Sequence, residues 1–200
     1  GRDRIGEPWQ RPFGPMSLLA IPCWHGNAHS IIVPGMPLAY LPIDASRESI
    51  RKACAASQRL VVTAPTGSGK STRIPAFLLD DGIVTGQVVC LQPRRLAARM
   101  LARRVAAERG VKVGGEVGYR VRFDHRVTPA TRLIYETDGI LLQEMSGDPA
   151  IRRVSAIVFD EFHERHLFGD VLLGLALTLQ SSTRPDLRII VMSATLDASR

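Results

Sequence analysis

Lysine is scarce in this chain, which carries only 3 lysines among its 26 basic residues. Its net charge of +7 is therefore an arginine charge, which fits a polyanionic partner such as nucleic acid or simply an arginine-rich genome. Cysteine is equally sparse: Cys23, Cys54 and Cys90 are scattered, which excludes a disulfide framework and fits a reducing compartment. Aromatic residues make up 6% of the chain, too few for an autonomous module that reads bases by stacking. Apolar runs fall well short of the roughly 20 residues of a membrane span. The opening Gly1-Arg2-Asp3-Arg4 lacks the charged-then-apolar order of a signal peptide. Together these absences predict a cytoplasmic protein with no membrane partner.

What remains is globular: 200 residues, 45% hydrophobic and 22% charged, suit one ordinary domain with a sizeable core. More than half of the 13 prolines fall in residues 1–42, together with Trp9 and Trp24, and no apolar period runs through them. This stretch reads as an irregular extension. Cys23, His25 and His29 form a C-x-H-x3-H cluster there, but a zinc site needs a second half that the chain lacks. The chain opens on Gly1 and Met36 precedes the first well-patterned segment, so part of 1–35 is expected to lie outside the folded protein.

From Asp44 onward the pattern is regular. Asp44 or Ser46 can cap a helix running to about Ser57. Five short apolar runs follow, at 59–64, 87–92, 132–136, 156–159 and 188–192, each without polar alternation. Helical stretches at about 70–79, 94–109, 138–146 and 165–181 separate them. Continuous apolar strands alternating with helices imply a parallel sheet covered on both faces, a doubly wound α/β fold whose ligands sit at the carboxyl ends of the strands.

Behind the first strand stands APTGSGKST, residues 64–72. Such a turn wraps backbone N–H groups around phosphate oxygens at a helix N-terminus, where the dipole also favours negative charge. Ala64 replaces the usual leading glycine, and Pro65, Thr66 and Ser68 complete the turn; Gly67 and Gly69 let the backbone approach. Lys70 reaches the terminal phosphates and the Ser71 hydroxyl, beside Thr72, is placed for Mg²⁺. A nucleoside triphosphate also needs a carboxylate for the metal and a group to handle the attacking water. Asp160 and Glu161, directly behind the run at 156–159, supply both. The same stretch, DEFHERH, invites a zinc-hydrolase alternative, but His163 and His166 stand at i, i+3 rather than the i, i+4 that places two ligands on one helical face. His166 by itself reads as a polar helix-surface residue.

Taken in order, APTGSGKST, LQPRRLAAR, ETDGILL, DEFHER and SAT resemble the DEAH-box group of superfamily 2 helicases, and the Phe162 variant with PRRLAAR is most similar to its bacterial Hrp-type members. The resemblance covers residues 44–200 and implies a P-loop NTPase (RecA-like) domain with three αβα layers over 43–200. It implies the first of two such lobes, the second lying beyond Arg200. By similarity, Gly67, Gly69, Lys70, Ser71 and Thr72 would hold ATP and magnesium, and Asp160 and Glu161 would manage metal and water. His163 would couple nucleotide state to movement, as would Ser193, Ala194 and Thr195, and Arg104 would stack on the base. Translocation would run 3′ to 5′.

Nucleic-acid contacts have their own candidates. Eleven basic residues lie between Pro93 and Arg132, counting Arg132, against the acids Glu108, Glu116 and Asp124. Arg94 and Arg95, Thr137-Asp138-Gly139 and Arg122 are the expected backbone contacts, on single-stranded RNA rather than DNA. Arg99, Arg103 and Arg109 are expected to form a solvated helix face. Two other functions fit parts of the pattern: a small-molecule kinase using the same phosphate loop, which leaves TDG and SAT unexplained, and a nucleic-acid-binding module with a vestigial nucleotide site.

Overall fold

The computed structural model describes residues 40–194. The Cys23, His25 and His29 cluster and Thr195 lie outside the described residues. A 3-10 turn at Pro42–Ser46 leads into α1 (Arg47–Ala56), and five strands then alternate with four helices much as the periodicity predicts. They are β1 (Arg59–Thr63), α2 (Lys70–Asp80), β2 (Gln87–Leu91), α3 (Arg95–Glu108), then β5 (Leu133–Glu136), α4 (Asp138–Gly147), β6 (Val154–Phe159), α5 (Leu167–Ser182) and β7 (Arg188–Ser193). Between α3 and β5 the chain makes two strands that the apolar pattern does not announce, β3 (Val117–Val121) and β4 (Asp124–Arg126).

All seven strands form one sheet in the order β1-β7-β6-β2-β5-β3-β4, parallel except for the β3–β4 hairpin. The continuous apolar runs are explained by cover on both faces. Alternate residues of one strand enter different cores: Val88 and Cys90 of β2, with Ala156 and Val158 of β6, pack with α2 and α3. Val89 and Leu91, with Ile157 and Phe159, pack with α4 and α5. The hairpin escapes detection because it lies at the sheet edge, its exposed side carries arginines, and its turn uses Phe123 at φ 68° in place of glycine or asparagine. Gly118 admits it: a Cβ there would stand 2.2 Å from the Arg126 carbonyl oxygen on the paired strand.

One bond fixes α2 to the sheet. Pro75 lies inside α2 and has no N–H for the Ser71 carbonyl four residues back. The Tyr135 hydroxyl, from fully buried β5, donates to that carbonyl at 2.9 Å, so the orphan acceptor is satisfied across the core. Tyr135→Phe should therefore lower stability by about 1–3 kcal/mol, the cost of a buried unpaired carbonyl. In a Pro75→Ala background, where the helix regains its own N–H donor, the same change should cost less. Urea unfolding of the four proteins measures this, and equal costs in both backgrounds would refute it.

Candidate functional site

The parallel strands end on one edge, and the chain's polar motifs are gathered there. The Ala64 N–H donates to the Ser193 carbonyl, Asp160 N–H to Leu91 and Gln92 N–H to Glu136, so the tips of β1, β7, β6, β2 and β5 lie side by side. Sequence order places Ser193 and Ala194 last; the sheet seats them between the phosphate loop and Asp160.

The loop turns through two left-handed glycines, Gly67 at φ 81° and Gly69 at φ 93°. Gly69 caps α2, and its backbone is in contact with Leu41 and Ile43: an added Cβ would stand 2.6 Å from Leu41 Cδ1. Ile43 N–H donates to the Ser68 carbonyl at 3.1 Å, so the 3-10 turn clamps the loop from outside. A cavity of about 170 Å³ opens over it, lined by Leu41, Gly67, Gly69, Lys70, Ser71, Thr72, Arg104 and Glu161. A larger cavity of about 570 Å³, between α4 and Gln87, Arg120 and Arg153, contains none of these residues.

Lys70 is only 2% exposed, and its Nζ lies 3.5 Å from Glu161 Oε1. Asp160 is buried beside it. The Gln92 amide donates to Oδ2 at 2.6 Å and the Glu161 N–H to Oδ1 at 2.9 Å. Burial pushes the Asp160 carboxyl above its usual range, while hydrogen bonds from the Ser71 hydroxyl and Gln92 pull it back. Glu161 itself holds φ 50°, a left-handed turn rare for a side chain, which turns the chain sharply behind β6. Phe162 anchors the turn by packing edge-on against Phe159, with ring centroids 6.1 Å apart.

DEFHERH is loop rather than helix, and α5 begins only at Leu167. Its two histidines face different partners. His163 Nδ1 lies 3.3 Å from Glu161 Oε2 and 3.5 Å from the Ala194 N–H. These contacts are exclusive: Nδ1 can accept from Ala194 only without the proton that the Glu161 contact needs. His166 caps α5 and is tied through Nε2 to buried Asp138, so it is no ordinary surface residue. Among the described residues no group of three or more His, Cys, Asp or Glu side chains could hold a metal ion, which leaves the zinc alternative without a ligand set.

The nucleic-acid candidates divide. Arg94 and Arg95 are exposed at the start of α3, with Arg94 bonded to Glu164 at 3.0 Å. Arg122 stands at the hairpin tip with its guanidinium 4.8 Å from the ring centre of Phe123, itself 89% exposed. In the sequence only its place after Arg122 marks Phe123. Thr137 and Gly139 begin α4, whereas Asp138 is engaged by His166. The expected solvated face is only partly present: Arg103 is exposed, but Arg99 pairs with Asp124 and Arg109 is gripped by Asp80 and Glu116. Arginines on one helix reach acids on neighbouring elements, so counting charge along the chain overstates the free basic field.

The DEAD/DEAH box helicase family matches residues 45–200. A probable ATP-dependent RNA helicase of Saccharomyces cerevisiae, DHR2, is 47% identical over 163 residues, 80% of this chain and 22% of that protein. Two crystal structures of Escherichia coli HrpB, one described as a DEAH/RHA helicase and one as a DExH-box NTPase, superpose with TM-scores of 0.77 and 0.76 at 41% identity. They cover 80% and 82% of this chain and 20% of each solved chain. The chain belongs to the DEAD/DEAH box helicase family, and it spans about a fifth of the length of these relatives.

The Asp138–His166 pair carries a pH dependence. The bond to Asp138 raises the His166 pKa above the ordinary value of 6.5. A raised folded-state pKa means that the pair's stabilisation is full below the unfolded value and fades as pH climbs through the folded one. His166→Gln should therefore lower the urea midpoint most at about pH 5.5 and least at about pH 9. A deficit constant across that range would refute the pairing.

Proposed function

We propose that residues 43–200 form the ATP-binding first lobe of a DEAH-box RNA helicase, residues 1–42 being an extension whose Leu41 packs on the lobe. The observation that carries this is the placement of Glu161 against Lys70 and of His163 Nδ1 within reach of both Glu161 and the Ala194 N–H, one partner at a time. A phosphate loop serving a small-molecule kinase has no use for His163 and Ala194 in those places.

The donor set of Asp160, Ser71 and Glu161 is all hard oxygen, and Asp160 is a buried carboxylate whose charge a divalent cation would offset, so it fits Mg²⁺. Bound there, Mg²⁺ would neutralise charge developing on the phosphate oxygens. The chain's own groups do the rest. Backbone N–H groups of 67–72 and the Lys70 ammonium hold the phosphates. Glu161, drawn from Lys70 when phosphate competes for that cation, orients and deprotonates the attacking water. His163, limited to one partner at Nδ1, passes that change to Ala194 and the Ser193-Ala194-Thr195 segment. Arginines for the transferring phosphate would come from a second lobe in the same protein, so this lobe alone should turn over slowly.

Single-stranded RNA would cross the strand tips from the Arg122–Phe123 hairpin past Arg94 and Arg95 to Thr137 and Gly139. RNA is preferred to DNA because the yeast relative is named an RNA helicase. Backbone contacts of this kind carry little sequence preference. No described helix is long and apolar enough to cross a membrane. Cys54 and Cys90 are free thiols, and a chain whose cysteines stay unpaired suits a reducing, cytoplasmic setting.

In a two-lobed protein, Lys70→Ala and Glu161→Gln should each cut RNA-stimulated ATP hydrolysis by about 100-fold or more. Glu161→Gln should keep ATP binding, whereas Lys70→Ala should weaken it. Unchanged hydrolysis in either variant would overturn the site. For RNA, Arg122→Ala should reduce the salt dependence of single-strand binding by about one phosphate contact. Phe123→Ala should weaken binding by about 1–3 kcal/mol with the salt slope intact. Fluorescence anisotropy on a short RNA across a salt series reads both, and wild-type affinity in both variants would remove the hairpin from the interface.

A further inference from the structure

We propose that Glu108 is a positioning residue for Arg104, and that Asp44, Arg73 and Glu108 together tie the presentation of the nucleobase to the phosphate loop. The proposal rests on the nucleotide site above. Glu108 lies one helical turn after Arg104 on α3 and accepts from Arg104 Nε at 2.9 Å through Oε1. Its other oxygen, Oε2, lies 3.3 Å from Arg73 Nη1. Arg73, in the first turn of α2 directly behind the phosphate loop, reaches Asp44 through Nε at 3.2 Å. Asp44 in turn accepts the Leu41 N–H at 2.7 Å, and Leu41 is the residue packed on Gly69. The path thus starts at a residue on the rim of the phosphate cavity and returns to the loop beneath it.

Burial separates this from an ordinary i, i+4 surface pair. The side chains of Arg73, Asp44 and Glu108 are only 10%, 19% and 20% exposed, whereas that of Arg104 is 59% exposed. Three members are fixed and the fourth projects over the cavity. A carboxylate gripping Nε sets the plane of a guanidinium while leaving both faces open, the geometry needed for stacking on a flat base. Because Glu108 is held from α2, a shift of the loop on phosphate binding moves the arginine with it.

The test uses this chain and two ligands, ATP and inorganic tripolyphosphate, each with Mg²⁺ and measured by calorimetry. Glu108→Gln, which keeps the side-chain shape, and Arg104→Ala should each weaken ATP binding about 3- to 10-fold and leave tripolyphosphate, which has no base, unchanged. The double variant should bind ATP no more weakly than Arg104→Ala alone. Equal loss for both ligands in Glu108→Gln, no loss for either, or additive losses in the double variant would overturn the positioning role and leave the nucleotide site standing. A wild-type chain that binds neither ligand, or binds both as well after Lys70→Ala, would overturn the site and the proposal with it.

Discussion

The placement of one ammonium organises this molecule. Lys70 is almost wholly removed from water, and a buried cation needs an anion close at hand. Among its neighbours Glu161 answers that need, and it can do so only because β1 and β6 end on the same edge with a single strand between them. Everything near the site follows from keeping that pair in reach. The left-handed glycines turn the loop under it, Leu41 and Ile43 brace the loop from outside, and the strained Glu161 turn delivers the carboxylate.

Parallel sheets make such convergence economical. Every strand points its carboxyl end the same way, so motifs spread over some 130 residues arrive on one edge without long loops. The helices that carry the chain back also fill both faces, which is why the strands are apolar throughout. The Tyr135 bond to Ser71 belongs to the same economy. A proline that disrupts the ladder of α2 next to the phosphate loop leaves an acceptor, and the neighbouring strand supplies the donor.

Arginine's abundance takes a different meaning in three dimensions. Single exposed ion pairs add little stability, yet Arg73, Arg109 and Arg120 each bridge two carboxylates from different elements. A planar fork with five donors can join two acids where a lysine would serve as a point charge. Much of the basic surplus is therefore structural, and the arginines left at the surface near the strand tips are the ones a nucleic acid would meet.

Local chemistry was legible in the sequence. The phosphate loop, the acids behind β6 and each single strand or helix are written within some ten to sixteen consecutive residues, because turn geometry and burial on both faces constrain neighbouring positions directly. The hairpin at 117–126 was illegible, since Gly118 and Arg120 interrupt the apolar run of β3, β4 is a three-residue polar edge strand, and the turn between them uses a phenylalanine where glycine or asparagine would signal it. The role of His166 is hidden for a related reason: its partner, Asp138, is 28 residues away, and nothing in the spacing joins them. Sequence by itself determined the local motifs: a glycine turn ahead of a lysine, paired acids behind an apolar strand, and histidines beside them. Only the tertiary structure decided which of them meet, because strand order in a sheet is set by how helices pack on its faces, and that packing is a property of the whole chain.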